Sequence, residues 1–208
     1  GWADHGVQPA KQCYKWDPSM GSPSLALGVL GMPGFTAWAG ITAYGNLKEG
    51  ETLVVGAATG PVGSMVGQLA RQAGCRVVGV AGGEDKCRLA VETFGFDACV
   101  DHRGKDARAM REALKAECPD GIDVYFENVG GPTLGGVLPL MNLHGRIIVC
   151  GMIAWYNGAE DETSAFPTGK LWRMILVNRL TIQGLLQTDH VKRMPEFFKE
   201  VCPKVAAG

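Results

Sequence analysis

The residues best placed to do chemistry form a turn. Ala58, Gly60 and Gly63 lie within Thr52-Leu-Val-Val-Gly-Ala-Ala-Thr-Gly-Pro-Val-Gly-Ser-Met-Val-Gly-Gln-Leu-Ala-Arg71. The β-branched run to Ala57 predicts a buried strand, the small residues a tight turn, and the stretch from Val62 to Ala73 a helix with Pro61 at its start. In this A-x-G-x-x-G spacing a backbone free of bulk can approach a pyrophosphate. The phosphate charge then rests on free N–H groups at the positive end of the helix dipole. Ala58, Gly60, Pro61, Val62 and Gly63 are therefore expected to hold the phosphates of a dinucleotide. The spacing carries this meaning only between a strand and a helix.

A second group follows the next strand-like run, where Arg76-Val-Val-Gly-Val80 leads into Ala81-Gly-Gly-Glu-Asp-Lys86. Sites that prefer NAD place a carboxylate near this point to hold the adenosine ribose. Here the place is taken by small residues, Gly83 among them, and Lys86 follows. Room plus a cation suits a 2′-phosphate, and hence NADP(H). The competing reading makes Glu84 and Asp85 ordinary first-turn helix acids with Lys86 solvated.

Two further loops close strands. Asn128-Val-Gly-Gly131 follows the fourth and Cys150-Gly-Met-Ile-Ala-Trp-Tyr-Asn157 the fifth. Both loops place glycine where a flat ring can lie against backbone, and Asn128, Cys150 and Gly151 are expected to bind the cofactor; alternatively Gly130, Gly131 and Gly151 merely end strands. Tyr156 and Asn157 are the polar groups expected to point into the cleft. A phenol there can bind ribose or deliver a proton, which makes Tyr156 the candidate catalytic residue; the alternative is a surface tyrosine against Trp155.

The elements that must position these groups alternate regularly. Strands are predicted at Thr52–Ala57, Arg76–Val80, Ala98–Asp101, Ile122–Glu127, Gly145–Cys150 and Leu180–Leu185, with helices between them, an earlier helix over Phe35–Tyr44 and a final one over His190–Glu200. Such alternation implies an α/β fold: a doubly wound, parallel six-stranded sheet in the order 3-2-1-4-5-6, with its crevice between the first and fourth strands. Residues 1–30, punctuated by Pro9, Pro18, Gly21 and Pro23, are expected to be irregular, and 31–208 to form the nucleotide-binding domain.

Composition narrows the function classes. A formal net charge of −1 with interspersed signs offers no footprint for nucleic acid. No apolar run reaches the ~18 residues of a membrane span. The seven cysteines are odd in number and include no C-x-x-C, which argues against a disulfide framework or zinc knuckle and favours a cytoplasmic setting.

Taken together, Leu30-Gly-Met-Pro-Gly-Phe-Thr-Ala-Trp38, the Ala58–Gly63 turn, Ala81–Lys86, Glu127-Asn-Val-Gly-Gly131 and Trp155-Tyr-Asn157 resemble one family in order and spacing. The chain is similar to the zinc-independent branch of the medium-chain dehydrogenase/reductases, and within it to the NADPH-dependent alkenal double-bond reductases. The resemblance implies a Rossmann domain and reduction of the C=C bond of α,β-unsaturated aldehydes and ketones by hydride transfer, without a metal. It further implies that Lys86 contacts the 2′-phosphate, that Met32 and Thr36 lie near the nicotinamide, and that Tyr156 and Asn157 contact cofactor or substrate. Relatives often carry a tyrosine after the third strand, facing the adenosine phosphate. This chain has Asp101-His-Arg103, so His102 or Arg103 is expected to take that contact.

The family also implies a GroES-like catalytic domain, of which residues 1–30 resemble a remnant and connector, so the chain reads as a fragment. It implies a homodimer through the apolar edge Leu180–Leu186; the alternative is an edge covered by the C-terminal helix. Two other functions compete: a quinone reductase of the same superfamily, and a non-catalytic nucleotide-binding module.

Overall fold

The strands β1 (Thr52–Gly56), β2 (Arg76–Ala81), β3 (Ala98–Asp101), β4 (Ile122–Glu127), β5 (Met141–Val149) and β6 (Thr181–Gly184) form one sheet in the order β3-β2-β1-β4-β5-β6. Every pairing is parallel, from Thr52 opposite Arg76 to Val149 opposite Gly184. The computed structural model describes residues 4–13, 15–156 and 168–207. The expected α/β doubly wound order is the one observed.

Among the described residues seven helices accompany the strands: α1 (Met32–Gly40), α2 (Pro61–Gln72), α3 (Glu84–Glu92), α4 (Ala107–Glu117), α5 (Gly131–Val137), α6 (Thr168–Asn178) and α7 (Met194–Ala207). Alternate residues of the central strands feed two separate cores, as the period of two requires. Leu53, Val55, Val124, Phe126 and Ile148 meet Phe35, Trp38, Met65 and Phe197 on one face. Val54, Val78, Tyr125 and Ile147 meet Met110, Leu114 and Leu138 on the other. Burial on both faces is why the central strands read as continuous apolar runs.

Several element boundaries differ from expectation. The first helix begins at Met32, where Gly31 supplies an extended N-cap and Pro33 tolerates the first turn, and it widens into a π-type turn over Ile41–Gly45. β5 starts at Met141 rather than Gly145 because Met141 already pairs with Ile122 across a register shift. His190 falls in a 3-10 segment, Gln187–Arg193, and α7 starts four residues later with Pro195 in its first turn.

Before Leu30 the described chain forms three short 3-10 turns, Ala10–Gln12, Pro18–Met20 and Pro23–Leu27. At the other end of the sheet all four β6 residues are exposed. The alternative of a covering C-terminal helix does not hold. α7 lies on α1 instead, with Phe197 edge-on to Phe35 at 5.4 Å and Glu200 accepting from the Trp38 indole at 2.7 Å.

Candidate functional site

A cleft of about 750 Å³ opens at the carboxyl ends of β1, β2, β3 and β4. One wall is the turn between β1 and α2. Ala57 turns the chain with a left-handed φ of 51°, Ala58 N–H donates to the Val80 carbonyl at 3.0 Å, and Gly60 N–H to the Ala57 carbonyl at 2.9 Å. Ala57, Thr59 and Gly60 face the cleft. Ala58 and Gly63 are buried beneath it. A Cβ at Gly63 would stand 2.3 Å from the Ala57 carbonyl oxygen, so glycine is what lets α2 start against the turn. Gly60 caps α2 without a side chain, which leaves the N–H groups of the first turn available to a ligand.

The opposite wall is built from the β2–α3 turn and the end of β3. Ala81, Gly82, Lys86 and Leu89 line it, together with His102 and Arg103. Gly83 has φ 97° and caps α3. A single oxygen of Asp101 accepts the Gly83 N–H at 2.8 Å and the Arg103 N–H at 2.9 Å. Those N–H bonds, Arg103 first, hold the Asp101 carboxyl below the ordinary carboxylate range. Of the two first-turn acids, Asp85 is engaged by Arg88 at 2.6 Å and both stand exposed.

The floor at the switch between β1 and β4 is a pair of loops stitched together. Cys150 and Gly151 N–H donate to the Glu127 carbonyl, Ile153 N–H to Asn128 and Ala154 N–H to Val129. This brings Val129, Ile153 and Ala154 into the cleft wall. The Asn128 amide donates to the Gly56 carbonyl at 2.9 Å, tying β4 to β1. Below it Glu127, 2 % exposed, accepts from the Tyr125 hydroxyl and from the Val129 and Gly130 N–H groups through one oxygen, while its other oxygen is buried without a partner. Burial pushes the Glu127 carboxyl up, against the pull of those donors. The Trp155 ring lies on Gly130.

The expected site residues thus divide. Gly60, Lys86 and His102 line the cleft. Pro61 is exposed, and Val62 half-buried, at the same helix start. Gly83 lies in the wall beneath Arg103. Asn128, Cys150 and Gly151 hold the floor from behind it, and burial keeps the Cys150 thiol up at about 11. Tyr156 is exposed, and its hydroxyl accepts the Met152 N–H at 3.1 Å. Met32 and Thr36 sit on α1 outside the lining, with the Thr36 hydroxyl donating to the Met32 carbonyl at 2.7 Å. Asn157 lies outside the described residues.

Sequence reasoning missed Ala57, Thr59, Leu89, Val129, Ile153 and Ala154 as lining residues and Glu127 as the anchor of the floor. Val129, Ile153 and Ala154 lay in the two loops it flagged, and Glu127 left a trace as an acid ending an apolar strand. Among the described residues no three His, Cys, Asp or Glu side chains gather as a metal site.

Comparison with known proteins gives this geometry relatives. The sequence pattern of the family described as zinc-binding dehydrogenase matches residues 61–203. NADPH-dependent curcumin reductase of Escherichia coli (strain K12) is 47% identical over 202 residues, covering 97% of this chain and 58% of the relative. The NADP(+)-dependent 2-alkenal reductase of Nicotiana tabacum is 41% identical over 209 residues, covering 100% of this chain and 59% of the relative. The chain thus spans less than two thirds of the relatives' length. Among solved structures, CurA of Vibrio vulnificus in complex with NADPH superposes with a TM-score of 0.83 at 47% identity, over 89% of this chain and 55% of that one. By the match over 61–203, the chain belongs to the zinc-binding dehydrogenase family.

Proposed function

We propose that this chain is the cofactor-binding part of an NADPH-dependent oxidoreductase that reduces the C=C bond of α,β-unsaturated aldehydes and ketones. The observation that carries the reading is the cleft itself: a turn of small residues, Ala57, Thr59 and Gly60, on one wall and Lys86 with Arg103 on the other. NADP(H) fits these residues. The buried approach of Gly63 beneath Ala57 leaves the turn's outer backbone open to phosphate, and no carboxylate of the described lining stands where a 2′-phosphate would sit. The names of the relatives above point the same way.

When bound, NADPH supplies the hydride. The chain's residues do the rest. The turn and the α2 N-terminus fix the pyrophosphate, Lys86 selects the adenosine end, and the stitched loops 128–131 and 150–156 form a firm floor for the reactive end. Tyr156 accepts a backbone N–H and so retains its own proton to offer, which supports it as the group that contacts substrate. The family resemblance assigns Met32 and Thr36 to the nicotinamide end of the proposed site.

The test is NADPH oxidation by the intact protein with an alkenal and with a quinone. Faster turnover of the alkenal is expected. Preference for the quinone would favour the quinone-reductase alternative, and binding without any turnover the non-catalytic one.

Three further features complete the reading. We infer a homodimer across β6, supported by its four exposed residues, Ile182 among them, and by exposed Leu186 just beyond. Cytoplasmic residence is supported by cysteines that stand as free thiols. The change at Leu30 from short 3-10 turns to regular alternation supports treating residues 1–30 separately from the 31–208 domain.

A further inference from the structure

We propose that Arg103 is a second cationic ligand for the 2′-phosphate of the bound adenosine, and that with Lys86 it sets the preference for NADPH over NADH. The proposal rests on the cofactor reading above and adds a residue that the tyrosine-bearing pattern of the resembled family does not supply.

Its basis is local geometry. The three atoms nearest to a Cβ built on Gly83 all belong to the Arg103 guanidinium, at 2.8, 2.9 and 3.2 Å. The group therefore lies over Gly83 and buries it, and only a residue without a side chain leaves that berth open. Asp101 fixes the arrangement from behind by accepting both the Gly83 and the Arg103 N–H, which ties the end of β3 to the β2–α3 turn. The guanidinium itself makes no ion pair with any carboxylate among the described residues, and it is exposed to the cleft that Lys86 also lines.

A planar fork of donors resting on backbone, charged and unengaged, matches a phosphomonoester dianion better than a ribose hydroxyl. His102, whose Nε2 stands 3.0 Å from a Cβ built on Gly82, adds a further nitrogen to the same wall. Of the nearby acids, Asp101 holds two amides and its charge is felt by Arg103, Asp85 faces Arg88, and Glu84 stands exposed on the first turn of α3.

The experiment titrates 2′,5′-ADP, 3′,5′-ADP and 5′-AMP into the intact protein and into Arg103→Gln, Arg103→Lys and Lys86→Ala. Arg103→Gln is expected to weaken 2′,5′-ADP by about 10- to 100-fold and to leave 5′-AMP unchanged. Arg103→Lys is expected to restore part of the loss, since a point charge replaces the fork. Should Arg103→Gln lower the melting temperature, Arg103→Lys carries the comparison.

An unchanged ratio of 2′,5′-ADP to 5′-AMP affinity in Arg103→Gln, with that ratio lowered in Lys86→Ala, would overturn the proposal and leave the cofactor reading standing. Equal weakening of both ligands would overturn it too, by showing a general field rather than a phosphate contact. Equal affinity of the wild type for 2′,5′- and 3′,5′-ADP would mean that the site reads a different phosphate. Failure of the wild type to bind NADPH would remove the cofactor reading itself.

Discussion

Lys86 stands exposed on the first turn of α3 with the cleft in front of it. Lys86→Ala is expected to cost about 1.5–3 kcal/mol of NADPH binding and little of NADH binding, read by titration with each. Glu127 makes the opposite kind of prediction, one of pH. Its carboxyl is raised by burial, so its neutral form is the one the fold favours. That contribution is complete below the ordinary carboxyl value of 4.5 and is lost as pH rises through the higher folded value. Urea unfolding of wild type and Glu127→Gln across pH should therefore show the wild type losing ground to the variant as pH rises, and a constant difference would refute the assignment. Lys86 was legible because a cation after glycines has a chemical meaning in one dimension. Glu127 was not, because its role depends on Tyr125, Val129 and Gly130 converging on one oxygen.

At the scale of elements, the β1–α2 joint depends on a contact that one methyl group would destroy. Gly63→Ala places its Cβ against the Ala57 carbonyl and is expected to destabilise the protein by about 1–3 kcal/mol and to weaken NADPH and NADH alike, as melting and titration would report. At the far end of the sheet Glu51 and Arg146 form a forked ion pair with Nη1 and Oε1 3.0 Å apart, each side chain 15% exposed. Glu51→Ala leaves the guanidinium without its partner. It is expected to cost about 2–3 kcal/mol, below the 3–5 of a fully buried pair, with NADPH affinity unchanged. Strand order followed from the alternation of β-branched and amphipathic segments. The early start of β5 did not, because Met141 and Asn142 join the sheet through partners on β4 and its flanking loop rather than through their own pattern.

For the whole molecule, the open edge at β6 is the feature that asks for a partner. Light scattering at micromolar concentration is expected to report a dimer, and Ile182→Lys to shift it toward monomer by placing a charge on the exposed edge. The two-sided core was legible in the sequence, since strands buried on both faces need no alternation. The placement of α7 was not: an apolar helix after the last strand of the sheet can cover either the edge or a neighbour, and the aromatic cluster decided for α1. That placement has a consequence for biosynthesis. Trp38 and its partner Glu200 are separated by 162 positions, so the ribosome releases α1 long before the segment that shields its rings. Until α7 emerges, Phe35 and Trp38 lack the cover of Phe197, and the nascent polypeptide offers chaperones an aromatic handle on that side until synthesis has passed Phe197.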